Sequence, residues 1–313
     1  MYNIIRFYNQ NRKSIWRIIL VIALAILVLQ LLNSYVAENS KKKIDNTSTL
    51  KNNTNNVIIS KDVISNKSSI TGEKIENNKL KEDSDLIDEF ISYCNSGDIE
   101  NAYNLLSNDC KENVFPTIED FKKIYYEEIF SNGNIINKIE NWLEDIYKVT
   151  FTENMISTGK INNESDKQDY ITIVNQDNEK KLNINGYIGK ETINKKAEVD
   201  GIEINVVEEN TFMDYVTFTY EVKNTTSLNI MLDPLDGAET MYIEDDNGNK
   251  YSAYTHELSS GELFVDSKSS KKIKIKYYSK FSSQRILKNI NFLKIVENYR
   301  GNVEFYNKIK VEI

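Results

Sequence analysis

The sequence predicts an α+β chain: an N-terminal transmembrane helix, a disordered linker, a domain of three helices and an antiparallel sheet, then an all-β sandwich. Three observations carry this reading. An uncharged apolar run occupies 18–37. Apolar residues recur at helical spacing and then alternate over 84–190. From 195 to 313 alternation dominates, broken by turn residues.

The apolar run, 20 residues of mostly Ile, Leu, Val and Ala, spans ~30 Å as a helix, one hydrocarbon core. A cleaved signal peptide is the rival, but a cut after Ala37 would place bulky Tyr35 where a small residue is required. Arg6, Arg12, Lys13 and Arg17 precede the run with no acid among them. The positive-inside rule therefore expects 1–17 in the cytoplasm and everything after 37 outside, a single-pass protein of the cell membrane. The whole chain carries a net charge of −8, and with those four cations left inside, the remainder is more acidic still. Nucleic acid is excluded as a partner, because phosphate contacts need clustered cations.

Residues 38–83 are rich in Asn, Ser, Thr and Lys and hold no aromatic residue. Too little apolar area is available to offset ordering entropy, so a flexible tether is expected.

From Ser84 the pattern turns helical. Leu86, Ile87, Phe90, Ile91 and Cys94 form one stripe that Asn95-Ser96-Gly97 stops. Asp98 caps a second helix with Ile99, Ala102, Leu105 and Leu106 inward. Thr117 and Asp120 form a capping box for a third, whose buried face is Phe121, Ile124, Tyr125 and Ile129. Alternation follows at Tyr147, Val149 and Phe151, at Ile171 and Ile173, and at Leu182, Ile184 and Tyr187 beyond an Asp177-Asn178 turn.

The runs SGDIENAYNLLSNDCKENVFPTIEDFKKIYYEEIF and YITIVNQDNEKKLNINGYIG resemble the nuclear transport factor two-like superfamily of cone-shaped α+β domains, over about 84–190. The resemblance implies a helix-capped curved sheet, and in some relatives isomerase or dehydratase activity. In 195–313, strands are expected around Ile202, Ile204 and Val206, around Val216, Phe218, Tyr220 and Val222, around Met241 and Ile243, around Ile273, Ile275 and Tyr277, and around Ile309, Val311 and Ile313. A short helix is expected at Ser283–Leu287. YEVKNTT and YIEDDNGNKY are similar to immunoglobulin-like domains on surface proteins of low-GC Gram-positive bacteria, which implies a spacer or adhesive module.

Chemistry is sparsely signalled. One His and two Cys exclude multi-histidine metal centres and four-thiolate clusters. Cys94 and Cys110 read as separate thiols, some 15 to 18 Å apart along the second helix against the ~6 Å a bridge needs, although a bent helix end would restore the bridge. His256 reads as a solvated loop residue with no nucleophile to serve. Asp245, Asp246, Asn247 and Asn249 imitate a calcium loop, but the glycine comes too early, and a hairpin turn at Asn247-Gly248 with both residues at positive φ explains them better. Tyr93, Tyr125, Tyr126 and Asp169 are the residue types an enzyme pocket in the cone would need. No catalytic, cofactor-binding or metal-binding residue is assigned, and no cofactor is expected.

Lys272, Lys274 and Lys276 share one face of a strand. They read either as guards of a sheet edge or as a candidate contact for an anionic polymer or a partner's acidic surface. The functional expectation is a non-enzymatic, membrane-anchored extracellular scaffold or protein-binding subunit, self-associating or part of a larger assembly. The order of tail, helix and cone is similar to that of assembly proteins of conjugation channels. The alternative is a small-ligand sensor, or an isomerase-like enzyme, using the cone's pocket.

Overall fold

The computed structural model describes residues 65–131, 135–153 and 166–313. The tail at 1–17, the apolar run at 18–37 and the linker as far as 64 lie outside the described residues. The described residues all belong to one compact unit.

The first 12 described residues are ordered against the sheet that follows. Lys67 and Lys74 bridge, Ser69 N–H donates to the Asn141 carbonyl at 2.9 Å and Ile70 N–H to that of Trp142 at 3.2 Å. The Ser68 hydroxyl also reaches the Trp142 carbonyl, at 2.8 Å. The expectation of a disordered linker to residue 83 is therefore corrected from Ser65 onward, because these backbone groups find partners that composition alone does not reveal.

Helix α1 (Asn77–Ser96) starts seven residues before the expected Ser84. It buries Leu80, Ile87, Phe90, Ile91 and Cys94, and Gly97 ends it at φ 75° with its N–H returned to the Cys94 carbonyl. The expected second helix divides into α2 (Ile99–Asn104) and α3 (Asn108–Asn113). The break serves the sheet: Leu182 N–H bonds the Leu105 carbonyl and Ser107 N–H bonds that of Leu182, each at 2.9 Å. The Thr117–Asp120 capping box opens α4 (Ile118–Phe121). A π turn at Lys122–Tyr126 leads to α5 (Glu127–Phe130). That wide turn shifts the helix phase by one residue, so Tyr125 is buried while Ile124, expected inward, is half exposed.

Below the helices lies a four-stranded antiparallel sheet of β1 (Ile135–Leu143), β2 (Ile146–Glu153), β3 (Lys167–Gln176) and β4 (Glu179–Asn183), in that order. One core joins helices to sheet: Phe90, Phe115, Phe121, Tyr125 and Phe130 meet Tyr147, Val149, Phe151 and Ile171.

Strand β5 (Tyr187–Val199) continues through 190–195, where the sequence suggests a boundary, with a bulge in its pairing between Thr192 and Lys195. It begins a second sheet with β6 (Ile202–Phe212), β7 (Val216–Asn224) and β12 (Ser269–Tyr277), ordered β12-β7-β6-β5. The third sheet holds β8 (Ile230–Met231), β9 (Met241–Asp245), β10 (Lys250–Ser252), β11 (Phe264–Val265), β13 (Leu287–Glu297) and β14 (Phe305–Glu312). A 3₁₀ turn (Thr255–Glu257) and helix α6 (Ser260–Leu263) link β10 to β11. These two sheets share one apolar core, in which Ile204, Val206, Phe218 and Tyr220 meet Ile243, Ile290, Phe292 and Ile309. The expected helix at Ser283–Leu287 is absent, and β13 begins at Leu287 instead.

The fold class needs correction. Among the described residues the chain is mostly β, with fourteen strands in three sheets, and every helix after α1 has six residues or fewer. The transmembrane helix is corrected as well. No helix among the described residues is long and apolar enough to cross a membrane, and the 20 residues of α1 include Lys79, Lys81, Glu82, Asp83, Asp85, Asp88 and Glu89. The single-pass membrane assignment is therefore withdrawn, together with the membrane as a partner and the cytoplasmic and extracellular placement of the two ends, all of which rested on 18–37.

Gly201, in the turn between β5 and β6, stands at φ +80°, and a Cβ there would lie 2.7 Å from Thr225 Oγ1. That hydroxyl is itself held by the Gly201 carbonyl at 2.8 Å. Gly201→Ala is expected to cost about 1–3 kcal/mol in urea unfolding, combining the left-handed penalty with a displaced hydrogen bond.

Candidate functional site

The three lysines of β12 do lie on one face of a sheet-edge strand, opposite Glu221, Thr219 and Thr217 of β7 in register. Two are engaged within the molecule. Lys276 Nζ pairs with Glu257 at 3.2 Å and sits 4.3 Å from the ring centres of both Tyr215 and Tyr254. Lys274 donates to Asn113 Oδ1 at 3.1 Å, and burial lowers its pKa. Lys272 is exposed. The stripe is thus partly neutralised by its own neighbours.

The helix-capped core brings together two of the residues an enzyme pocket would need. Tyr125 donates to Asp169 Oδ2 at 2.7 Å. The same carboxylate accepts the backbone N–H groups of Tyr170 at 2.7 Å, Asn185 at 2.8 Å and Gly186 at 2.8 Å. Burial pushes its pKa up, and the four donated bonds pull it back. With each oxygen already holding two donors, the carboxylate is a structural node. Phe115, Phe121 and Phe130 crowd Tyr125, with ring centres 5.9 to 6.5 Å away. Tyr93 bonds Glu89 and Tyr126 stacks on Phe130, so neither joins the pair.

Cys94 and Cys110 are free and buried in this core. Burial raises the Cys94 thiol well above its ordinary range and that of Cys110 to about 12, which leaves both as unreactive thiols.

Asp245 gathers the Asn247 and Asn249 backbone N–H groups, the Asn249 amide and the Tyr251 hydroxyl at 2.8 to 3.0 Å. These bonds, led by that of the Asn249 side chain, lower its pKa. Its lone pairs are spent on the turn. Only Gly248 there has positive φ, so the expected two-residue turn becomes an Asp-anchored loop. Among the described residues no group of three or more His, Cys, Asp or Glu is placed to hold a metal ion. His256 is exposed and contacts the Tyr278 hydroxyl at 3.2 Å.

The surface that sequence reasoning missed lies where three connections converge. The β5–β6 turn supplies Asp200 and Gly201, the segment after β7 supplies Thr225, Thr226 and Ser227, and β13 and β14 supply Glu297 and Phe305 to Asn307. Together with Glu304 they enclose an open concavity of about 910 Å³. Asn224 organises one wall, its amide donating to the Leu228 and Asp266 carbonyls and its oxygen accepting the Thr226 N–H. The other wall is the β13–β14 hairpin, closed by Asn298 Nδ2 on the Val303 carbonyl at 2.7 Å and the Arg300 N–H on Glu304 at 2.9 Å. Along β14, Phe305 and Asn307 continue the row of buried Ile309 and Val311. The row outruns the core, so Phe305 emerges 53% exposed, with Tyr306 and Val303 each 60% exposed beside it. Asp200, Glu297 and Glu304 make the surroundings acidic.

No family model, curated protein or solved structure matches the chain.

Proposed function

We propose that the chain is a non-enzymatic protein-binding module and that the concavity beside β14 is its docking surface. The observation that carries the reading is the exposure of Phe305 and Tyr306, which open the sheet-edge strand β14 and line the concavity, with Val303 exposed just before that strand, 53, 60 and 60%. Apolar patches rimmed by polar groups on an otherwise well-packed surface serve association, and aromatic anchors carry most of its energy. The acidic rim selects a partner protein whose apolar knob is flanked by Lys or Arg. A sensor holding its ligand in the cone's pocket would need room inside the helix-capped core, and that interior is packed with aromatic rings.

Photo-crosslinking of the full chain in its own cells tests this. A benzophenone amino acid at Phe305 should give a discrete adduct, whereas the same probe at Ile286, equally apolar and 65% exposed, should not. The double change Phe305→Ser, Tyr306→Ser should abolish partner binding while moving stability by no more than about 0.5 kcal/mol, as exposed sites do. An adduct from both positions or from neither would sink the reading.

A further inference from the structure

A second depression, independent of the docking surface, lies beside the 3₁₀ turn that follows β10. It has a volume of about 440 Å³, and its lining includes Glu239, Lys250, Ser252, Thr255, His256 and Tyr278. Its size falls in the range of small-molecule sites, roughly 300 to 1,000 Å³.

Tyr278 supplies an aromatic platform. Its ring stacks on that of Tyr254 with centres 3.4 Å apart and planes 16° from parallel, yet the residue is 48% exposed. The stack is braced from behind, because Lys276 Nζ sits over Tyr254 and over Tyr215. The backbone fixes it too: Tyr278 N–H bonds the Ser252 carbonyl at 2.9 Å and Tyr254 N–H bonds that of Lys276 at 2.8 Å. His256 Nδ1 meets the Tyr278 hydroxyl at 3.2 Å. An exposed ring held on so many sides is pre-organised, so binding against it costs little side-chain entropy.

The surrounding polar groups are mixed. Glu239 accepts, Lys250 donates, and the Ser252 and Thr255 hydroxyls do both. One acid and one base leave no dominant field to draw an anion or a cation. A rigid ring face among alternating donors and acceptors suits a molecule with one C–H face and a rim of hydroxyls.

We infer that this cleft binds an uncharged sugar, one or two pyranose rings in extent, stacked on Tyr278 and hydrogen-bonded by Glu239, Lys250, Ser252 and Thr255. The test is saturation-transfer NMR and titration of the full chain with glucose, N-acetylglucosamine, cellobiose and chitobiose. At least one should bind saturably with Kd on the order of 1 mM, the range expected for a small contact area. Tyr278→Ala should weaken it at least ~10-fold and Glu239→Gln ~3-fold or more, about 1.4 and 0.6 kcal/mol. Both sites are exposed, and circular dichroism of each variant checks folding, with Glu239→Gln carrying the test if Tyr278→Ala misfolds. Absence of saturable binding by all four sugars, binding indifferent to the variants that fold, or tighter binding of glucuronate or glucosamine would overturn the assignment.

Discussion

Asp169→Ala is expected to cost about 3–5 kcal/mol, the scale of removing one member of a buried charged network. Against a total of roughly 5–15 kcal/mol for a folded domain, that leaves little reserve. The loss comes from what stays behind. Three backbone N–H groups, of Tyr170, Asn185 and Gly186, and the Tyr125 hydroxyl all point at the vacated oxygens. Asn185 stands at φ 60° and Gly186 at φ 67°, so the carboxylate also pins a left-handed turn between β4 and β5. Asp169→Asn should be milder, about 1–3 kcal/mol. One amide oxygen still accepts two donors and Tyr125 can turn its hydroxyl to accept, but one backbone N–H then faces an NH₂ group. The pH profile separates charge from shape. Because burial raises the folded-state pKa above the unfolded one, the folded state holds the proton more tightly. This residue's contribution is therefore full below the ordinary carboxylate pKa and declines as pH rises through the raised value. Urea midpoints measured from pH 3.5 upward should show that decline in the native chain and lack it in Asp169→Asn. A decline of equal size in both would assign it to another group.

Legibility varied with how local the cause of each element was. The Thr117–Asp120 box is written in four residues and forms as expected. The strands around Ile202 and Ile275 alternate because one face is buried, and that periodicity survives in sequence; the strand around Phe218 keeps an alternation of residue type, with Thr217 and Thr219 buried on its second face. Strand β13 does not alternate: Asn289, Ile290, Asn291 and Phe292 are all buried, because the strand has neighbours on both edges and is covered on both faces near its centre. No strand was expected there, and the helix expected at Ser283–Leu287 reaches only its first residue. Strand β1 was missed for a related reason, since Ile135, Ile139 and Leu143 fall at helical spacing while the strand's bulge between Asn141 and Leu143 disturbs the two-residue period. The phase error at Ile124 came from a π turn that no residue preference announces. The candidate surface was illegible for a different reason. Phe305 belongs to the same strand row as Ile309, and only the place where the opposing sheet ends decides that one is buried and the other exposed. A Phe-Tyr pair opening an edge strand was the available signal, and it carried no information about cover.

Phe212→Ala should cost about 3–5 kcal/mol, the usual loss for truncating a buried aromatic ring, and should do so in both halves of the compact unit at once. Phe212 is the last residue of β6, a strand of the second sheet, yet its ring packs in the helix-capped core. It lies 5.0 Å from Tyr187 and stacks on Tyr215 at 4.4 Å, and Tyr215 in turn carries Lys276 of β12. The neighbouring backbone ties the same point to both sides, Met213 N–H bonding the Gly186 carbonyl and Phe281 N–H that of Met213, each at 2.8 Å. β5 passes through the junction as one strand, bulged between Tyr187 and Gly189 and between Thr192 and Lys195, so separating the halves means breaking its ladder to β6 as well as opening this aromatic contact. Coupling of that kind predicts a single unfolding transition. Fluorescence of Trp142 in β1, isolated in a Trp16→Phe background, reports the helix-capped half. Hydrogen exchange of the β7 amides reports the paired sheets. In the native chain the two should give one midpoint, and Phe212→Ala should lower both equally. A shift in β7 protection with Trp142 unmoved would mean that the two cores unfold independently and that the shared strand is only a linker.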